Sequence, residues 1–124
     1  MPAPGERHIL VVEDSPLVSG ALRLLLESLG HRVSIAATVA ESLAIIRADP
    51  PSLTLLDLTL PDGDGLTLVE MLHASGCRVV VALTGHDDEA TRDRCIAAGC
   101  AHVLVKPVPA RELLAQTERW LASC

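Results

Sequence analysis

Short apolar runs alternate with amphipathic stretches along the chain. Most of the apolar runs are made largely of Val, Ile, Leu or Ala on consecutive positions, which is typical of strands buried on both faces of a sheet. Polar or turn-forming residues close each run. We therefore predict five strands, at 9–12, 31–36, 53–56, 78–83 and 101–105.

Each predicted strand is followed by a stretch whose apolar residues favour a helix. Pro16 suits a first helical turn, Thr38 can cap a second helix, and Gly30 and Gly99 suit helix ends. The segment 60–65 is rich in Pro, Asp and Gly and is predicted to be a loop. The predicted helices cover 16–29, 39–47, about 66–74, 87 or 88 to 98, and 110 to about 121.

Five strand–helix pairs predict an α/β fold. Strands that alternate with helices form a parallel sheet covered on both faces, and right-handed crossovers make the fold doubly wound. The length of 124 residues fits a single domain over 1–124, with a core of about 8–121. Hydrophobic residues make up 49% and charged residues 21%, which indicates a packed core rather than disorder.

Composition excludes several kinds of function. The net charge of −6 and the lack of a Lys or Arg run argue against direct binding of nucleic acid. A single Trp, with no Tyr or Phe, argues against a flavin carrier, which would need aromatic rings to hold the cofactor. No apolar run approaches the ~20 residues that a membrane-spanning helix needs, and the N-terminus lacks an apolar signal segment. We expect a cytoplasmic protein without membrane insertion.

The cysteines follow no C-x-x-C spacing, so a zinc site is not expected. Free thiols in a reducing compartment are the simpler interpretation. The cysteines are Cys77, Cys95, Cys100 and Cys124.

Polar side chains follow four of the predicted strands. Glu13 and Asp14 follow the first, Asp57 the third, Thr84 the fourth and Lys106 the fifth. The carboxyl ends of parallel strands meet at one edge of the sheet, where ligands of such folds bind. Three carboxylates there would repel one another unless a cation lay among them. Oxygen ligands alone favour Mg²⁺ over zinc.

The same residues can support phosphoryl transfer. A carboxylate such as Asp57 is a possible nucleophile that forms an aspartyl phosphate. Mg²⁺ and Lys106 would neutralise the charge that develops, and Thr84 offers a hydroxyl donor.

Four motifs in this order resemble the receiver domain of response regulators in two-component systems, over nearly the whole chain. They are Glu13-Asp14, Asp57-Leu-Thr-Leu-Pro-Asp-Gly-Asp-Gly65, Leu83-Thr84-Gly85 and Leu104-Val-Lys106-Pro107. The resemblance implies a flavodoxin-like, chemotaxis-regulator-like fold with five helices and the strand order 2-1-3-4-5. It also implies a cis peptide bond between Lys106 and Pro107.

The resemblance assigns a role to each site residue. Asp57 would be the phosphoacceptor and Thr84 the switch hydroxyl, with Lys106 as ion-pair partner of the phosphoryl group. Mg²⁺ would be bound by Asp14, Asp57 and the Thr59 backbone carbonyl, with Glu13 acting mainly through water. The domain would catalyse its own phosphorylation and dephosphorylation and would not be an enzyme in the wider sense.

Partners also follow from the resemblance. The phosphoryl donor would be a phosphohistidine of a sensor histidine kinase or histidine phosphotransfer protein, and the receiver of the signal a downstream protein or a fused output domain. The chain would be a free-standing regulator or part of a hybrid histidine kinase. Receivers often carry Tyr or Phe at the position of Val103, so the readout here would lack that aromatic side chain.

Other interpretations stay open at this point. A Mg²⁺-dependent phosphohydrolase with an aspartyl-phosphate intermediate would use Asp57, but such enzymes carry Asp-x-Asp where Thr59 stands here, and they need a cap. A degenerate receiver that only binds partners would have lost some of the site residues. Asp62 and Asp64 are interpreted as turn residues, the histidines as surface residues, and Trp120 as a hydrophobic anchor or part of a partner surface.

Overall fold

A computed structural model describes residues 6–122 of the chain. Cys124, expected to be a free thiol, lies outside the described residues. Within 6–122, seven strands form: β1 (His8–Val12), β2 (Arg32–Ala36), β3 (Leu53–Asp57), β4 (Thr59–Leu60), β5 (Gly63–Asp64), β6 (Val79–Thr84) and β7 (His102–Val105). The predicted five-stranded parallel sheet is confirmed, in the order β2-β1-β3-β6-β7, which is 2-1-3-4-5 when only its own strands are counted.

The predicted helices are also present in the described part of the chain. They are α1 (Pro16–Glu27), α2 (Val39–Ala48), α3 (Val69–Ala74), α4 (Glu89–Ala98) and α5 (Ala110–Ala122). The side chains of Ser15, Thr38 and Asp88 accept hydrogen bonds from the first turns of α1, α2 and α4, which explains where these helices begin.

The segment after β3 differs from the prediction. The expected loop at 60–65 contains an antiparallel pair, β4 with β5, and the expected third helix begins with a 3₁₀ turn, Gly65–Leu68, before α3. Asp64 caps this turn by accepting from the backbone N–H of Leu66 at 2.9 Å. A tight hairpin therefore follows the strand that carries Asp57.

Two apolar layers cover the two faces of the main sheet. Successive β1 residues alternate between them: Ile9 and Val11 belong to one layer, Leu10 and Val12 to the other. The first layer also takes side chains from α1 and α5, and the second takes side chains from α2, α3 and α4. The helices cover the two faces of the sheet, so the ends of its strands lie between the helical layers.

Two expectations about rings have different outcomes. Trp120 is buried in the layer beneath α5 and stacks on the His102 ring with centroids 5.0 Å apart, as expected for a hydrophobic anchor. The expectation that the histidines lie on the surface is wrong for His8, which is 4% exposed. Its Nε2 forms a 2.7 Å hydrogen bond with the Ser34 hydroxyl of the neighbouring strand.

Within residues 6–122, no helix is both long enough and apolar enough to cross a bilayer.

Candidate functional site

A cavity opens at the carboxyl edge of the main sheet, and the predicted site residues line it. They are Glu13, Asp14, Asp57, Thr59, Thr84 and Lys106. β1, β3 and β6 end at this edge, and Lys106 follows β7 directly. The structure therefore brings together the side chains that were predicted to meet at the carboxyl ends of the strands.

Three carboxylates form the acidic part of the cavity. In the described chain, Glu13, Asp14 and Asp57 each place a carboxylate oxygen within 4.8 Å of the others. Glu13 and Asp57 are buried, whereas Asp14 is exposed to the cavity and to solvent. Two buried carboxylates and one exposed carboxylate can together hold a hard cation that keeps some of its water.

Lys106 contacts the two buried carboxylates. Its Nζ donates hydrogen bonds to Glu13 Oε2 at 3.0 Å and to Asp57 Oδ2 at 3.1 Å. Burial raises the pKa of Glu13, and the hydrogen bond from Lys106 opposes this only in part. Burial would lower the pKa of Lys106, but its hydrogen bonds to Glu13 and Asp57 outweigh that effect and raise it. Lys106 is therefore held as an ammonium beside Asp57.

Charge in this group of side chains is not balanced. Three carboxylates and one ammonium sum to −2 when all are ionised. One surplus negative charge lies among the buried groups, where it is costly, and Asp14 adds a second at the exposed side; a divalent cation would cancel both. The donor set, made of oxygens only, fits Mg²⁺.

The backbone around Asp57 fixes its position. The Thr59 N–H donates to Asp57 Oδ1 at 3.1 Å, so this carboxylate is held from the side opposite to Lys106. Gly65 packs so closely that a Cβ there would overlap the backbone carbonyl oxygen of Asp57. The hairpin β4–β5 therefore needs glycine at 65 to fold back against the end of β3.

Thr84 and Gly85 complete the floor of the cavity. The Thr84 hydroxyl oxygen accepts a 3.0 Å hydrogen bond from the His86 N–H, and a hydroxyl that accepts in this way can still donate its own proton. Thr84 is buried, and space is open around the Gly85 Cα. The peptide bond between Lys106 and Pro107 is cis, as predicted. Val103, which stands where receivers often carry Tyr or Phe, is half-buried against the apolar layer under α2, α3 and α4.

Other acidic residues behave as loop carboxylates. Asp62 accepts from the Val39 and Ala40 N–H groups at 2.7 and 3.1 Å, and these hydrogen bonds lower its pKa. Asp64, besides capping its own turn, forms an ion pair with Arg94 at 2.7 Å. Neither is part of the acidic group around Asp57.

Arg94 lines the cavity and was missed by the sequence reasoning. It lies 30 residues from Asp64, on an exposed helix with several charges, so no spacing in the sequence points to it. His86, which was interpreted as a surface residue, also lines the cavity.

Comparison with known proteins agrees with this geometry. A family model described as the response regulator receiver domain matches residues 9–118. The photosynthetic apparatus regulatory protein RegA of Cereibacter sphaeroides is 37% identical over 110 residues, covering 87% of this chain and 59% of RegA. The TorCAD operon transcriptional regulatory protein TorR of Escherichia coli O157:H7 is 32% identical over 114 residues, covering 92% of this chain and 50% of TorR. The chain thus spans roughly half the length of these relatives.

Solved structures share the fold. A CheY-like response regulator receiver domain protein of Methanospirillum hungatei is 31% identical with a TM-score of 0.87, over 94% of each chain. The receiver domain of the sensor histidine kinase PA1611 of Pseudomonas aeruginosa is 30% identical with a TM-score of 0.83, over 94% of this chain and 98% of that one. That receiver has a magnesium ion coordinated in its active site cleft. By the family match and these relatives, the chain belongs to the response regulator receiver domain family.

Proposed function

We propose that this receiver domain accepts a phosphoryl group onto Asp57 in two-component phosphorelay signalling. The proposal is carried by one observation: the Lys106 ammonium contacts both Asp57 and Glu13 in a cavity that also holds Asp14. A carboxylate with an ammonium beside it can be phosphorylated with the new charge already compensated. Thr84, on the neighbouring strand, is the proposed switch hydroxyl that donates to a phosphoryl oxygen.

Mg²⁺ is the proposed cofactor. Glu13, Asp14, Asp57 and the backbone carbonyl of Thr59 would hold it, and the surplus of two negative charges among the side chains supports a divalent ion. Bound Mg²⁺ would neutralise phosphoryl oxygens during transfer. The similar PA1611 receiver, with magnesium in its cleft, supports the same choice.

In the proposed transfer, a carboxylate oxygen of Asp57 attacks the phosphorus of a phosphohistidine. The new P–O bond forms as the P–N bond breaks, and the electron pair of the P–N bond stays on the imidazole nitrogen, which takes up a proton from solvent. Lys106 stays protonated, in keeping with its raised pKa, and contacts the charge that develops. Phosphorylation adds roughly −1.5 to −2 charges at this edge of the sheet.

The proposed partners are those of the family. A sensor histidine kinase or histidine phosphotransfer protein would supply the phosphoryl group, in the cytoplasm, and a downstream protein or an output domain would read the result. Residues 1–124 would act as one receiver domain, with no direct contact to nucleic acid, in keeping with the net charge of −6. Because Val103 is aliphatic, the proposed readout does not use a rotating aromatic ring at that position.

The test is intact-mass measurement after incubation with Mg²⁺ and acetyl phosphate. We expect one added phosphoryl group on the wild type and none on Asp57→Asn, since the amide is not a nucleophile of this kind. Asp49→Asn, a matched change at the opposite edge of the sheet, should be labelled like the wild type. Equal labelling of wild type and Asp57→Asn would overturn the assignment.

The proposed role as a signalling domain rather than an enzyme has its own measurement. We expect a signalling receiver to be phosphorylated by acetyl phosphate, an acyl phosphate, and to release no phosphate from phosphomonoesters. Sustained, Mg²⁺-dependent release of phosphate from p-nitrophenyl phosphate would instead favour the phosphohydrolase.

A further inference from the structure

Helix α4 carries two arginines whose surroundings differ. Arg92 pairs with Asp87 at 3.3 Å, and Arg94 pairs with Asp64 at 2.7 Å. All four side chains are largely exposed. Arg94 and Asp64 line the cavity that contains Asp57, whereas Arg92 and Asp87, both well within the described range, do not.

The Arg94–Asp64 ion pair lies in an exposed part of the cavity lining. Asp64 ends β5, in the hairpin that follows Asp57, while Arg94 belongs to the helix that follows Thr84. The pair therefore links two of the segments that line the cavity around Asp57. Since Asp64 also accepts from the Leu66 N–H, its carboxylate stays in place whether or not Arg94 contacts it.

Helix α4 leaves Arg94 free to reorient. Within α4, all of whose residues are described, Cys95 is the one buried side chain. Arg94 is 58% exposed and Asp64 is 44% exposed. Exposed ion pairs of this kind contribute about 0–1 kcal/mol, so another anion can displace Asp64 at low cost.

A phosphoryl group is the better partner for this arginine. It presents several oxygens and up to two negative charges, whereas Asp64 presents one charge, and the planar guanidinium binds phosphate oxygens in a bidentate manner. We infer that Arg94 is a phosphodonor-binding residue: it pairs with Asp64 before the donor arrives and then pairs with the donor's phosphoryl group. This inference rests on the proposed function of Asp57.

Acetyl phosphate provides a defined reaction for the test. A carboxylate oxygen of Asp57 attacks phosphorus, the new P–O bond forms as the bond from phosphorus to the acyl oxygen breaks, and acetate leaves with the electron pair. No proton is consumed. Arg94 would lower the energy of the bound dianion and of the transition state, while Asp64 would compete for the same guanidinium.

The experiment measures the rate of phosphorylation of the full chain by intact mass, with Mg²⁺ and subsaturating acetyl phosphate. We expect Arg94→Gln to slow labelling about two- to fivefold, the size of a lost contact between exposed charges. Asp64→Asn, which keeps an oxygen to cap the 3₁₀ turn, should speed labelling about twofold because it frees Arg94. In the Arg94→Gln background, Asp64→Asn should have no further effect.

Arg92→Gln and Asp87→Asn are the matched controls, since they remove the same charges from the exposed Arg92–Asp87 pair, which lies outside the cavity. Both should label at nearly the wild-type rate. An Arg94→Gln rate equal to the wild type, or an equal loss in Arg92→Gln, would overturn the inference, as would slow labelling that tracks a lowered Tm. Labelling of Asp57→Asn, or no labelling of the wild type, would instead count against the proposed function.

Discussion

The two edges of the main sheet each carry a cation between carboxylates. The carboxyl-edge cluster consists of Lys106, Glu13, Asp57 and Asp14. The amino-edge cluster consists of Arg32, Glu6 and Asp49, and the ring nitrogen Nδ1 of His8 also lies 3.7 Å from Asp49. The two clusters use the same kind of ion pair, so their differences show what makes one of them a candidate site.

Burial and charge separate the two clusters. At the carboxyl edge the Glu13 and Asp57 side chains are 3% and 12% exposed, while at the amino edge Asp49 and Arg32 are 51% and 48% exposed. With the carboxylates ionised and His8 neutral, the carboxyl-edge cluster sums to −2 and the amino-edge cluster to −1. Water can solvate the amino-edge charges, but buried surplus charge favours uptake of a cation. Ion pairing alone is therefore a poor marker of function.

The largest expected difference between the edges is the response to Mg²⁺. A cation that binds only the folded state stabilises it by about 2.7 kcal/mol at a hundredfold excess over Kd. We expect this gain in the wild type, measured as a shift in Tm with added MgCl₂. Asp14→Asn should lose most of it because a carboxylate ligand is removed.

Asp49→Asn is the matched change at the amino edge and should keep the full Mg²⁺ gain. If the Tm shift with MgCl₂ remained in Asp14→Asn and disappeared in Asp49→Asn, Mg²⁺ would bind at the amino edge, contrary to this expectation.

Removal of the bridging cation should have the next largest effect. Lys106→Met would leave Glu13 and Asp57 buried without their shared donor, at a cost of about 1–3 kcal/mol in the free energy of unfolding at pH 7 without Mg²⁺. Arg32→Gln should cost clearly less, since water replaces the lost contacts. Urea unfolding of both variants measures this, and an equal loss would mean that burial does not distinguish the clusters.

The smallest expected effect is a change in acid stability at the amino edge. The hydrogen bond from Arg32 lowers the pKa of Asp49 below its ordinary value. A group whose pKa is lower in the folded state stabilises the fold above its unfolded pKa, and that contribution is lost as the pH falls through the folded pKa. Asp49→Asn should therefore show a shallower loss of stability below about pH 4 than the wild type.

Arg32→Gln provides the partner measurement for this effect, because it removes the hydrogen bond and leaves the carboxylate. In this variant too, the free energy of unfolding should fall less steeply with decreasing pH. Urea unfolding at pH 2.5–6, roughly the range over which Asp titrates, measures this. If both variants lose stability with acid as steeply as the wild type, the amino-edge ion pair does not contribute to the free energy of unfolding.

Much of the site could be predicted because of where its residues stand. Glu13, Asp57, Thr84 and Lys106 each follow an apolar run, and parallel strands bring their carboxyl ends to one edge. The same reasoning gave the doubly wound fold. Helix starts at Ser15 and Thr38 were predictable because capping depends on side chains close in sequence.

What the sequence did not reveal depends on contacts between distant segments. Asp62 accepts hydrogen bonds from the first turn of α2, 22–23 residues away, and no neighbouring residue in the sequence indicates this. The Arg94–Asp64 pair likewise joins two elements that only the fold brings together. His8 is buried because a neighbouring strand offers it the Ser34 hydroxyl. Such pairings follow from tertiary packing and have no periodicity to read.

The most direct test locates the phosphoryl group itself. Borohydride reduction of an aspartyl phosphate converts that residue to homoserine, and peptide mass spectrometry then identifies its position. After treatment with acetyl phosphate and Mg²⁺, we predict homoserine at position 57 alone. Conversion at Asp14 or Asp64, or no conversion in protein that carries the added phosphoryl mass, would contradict the account.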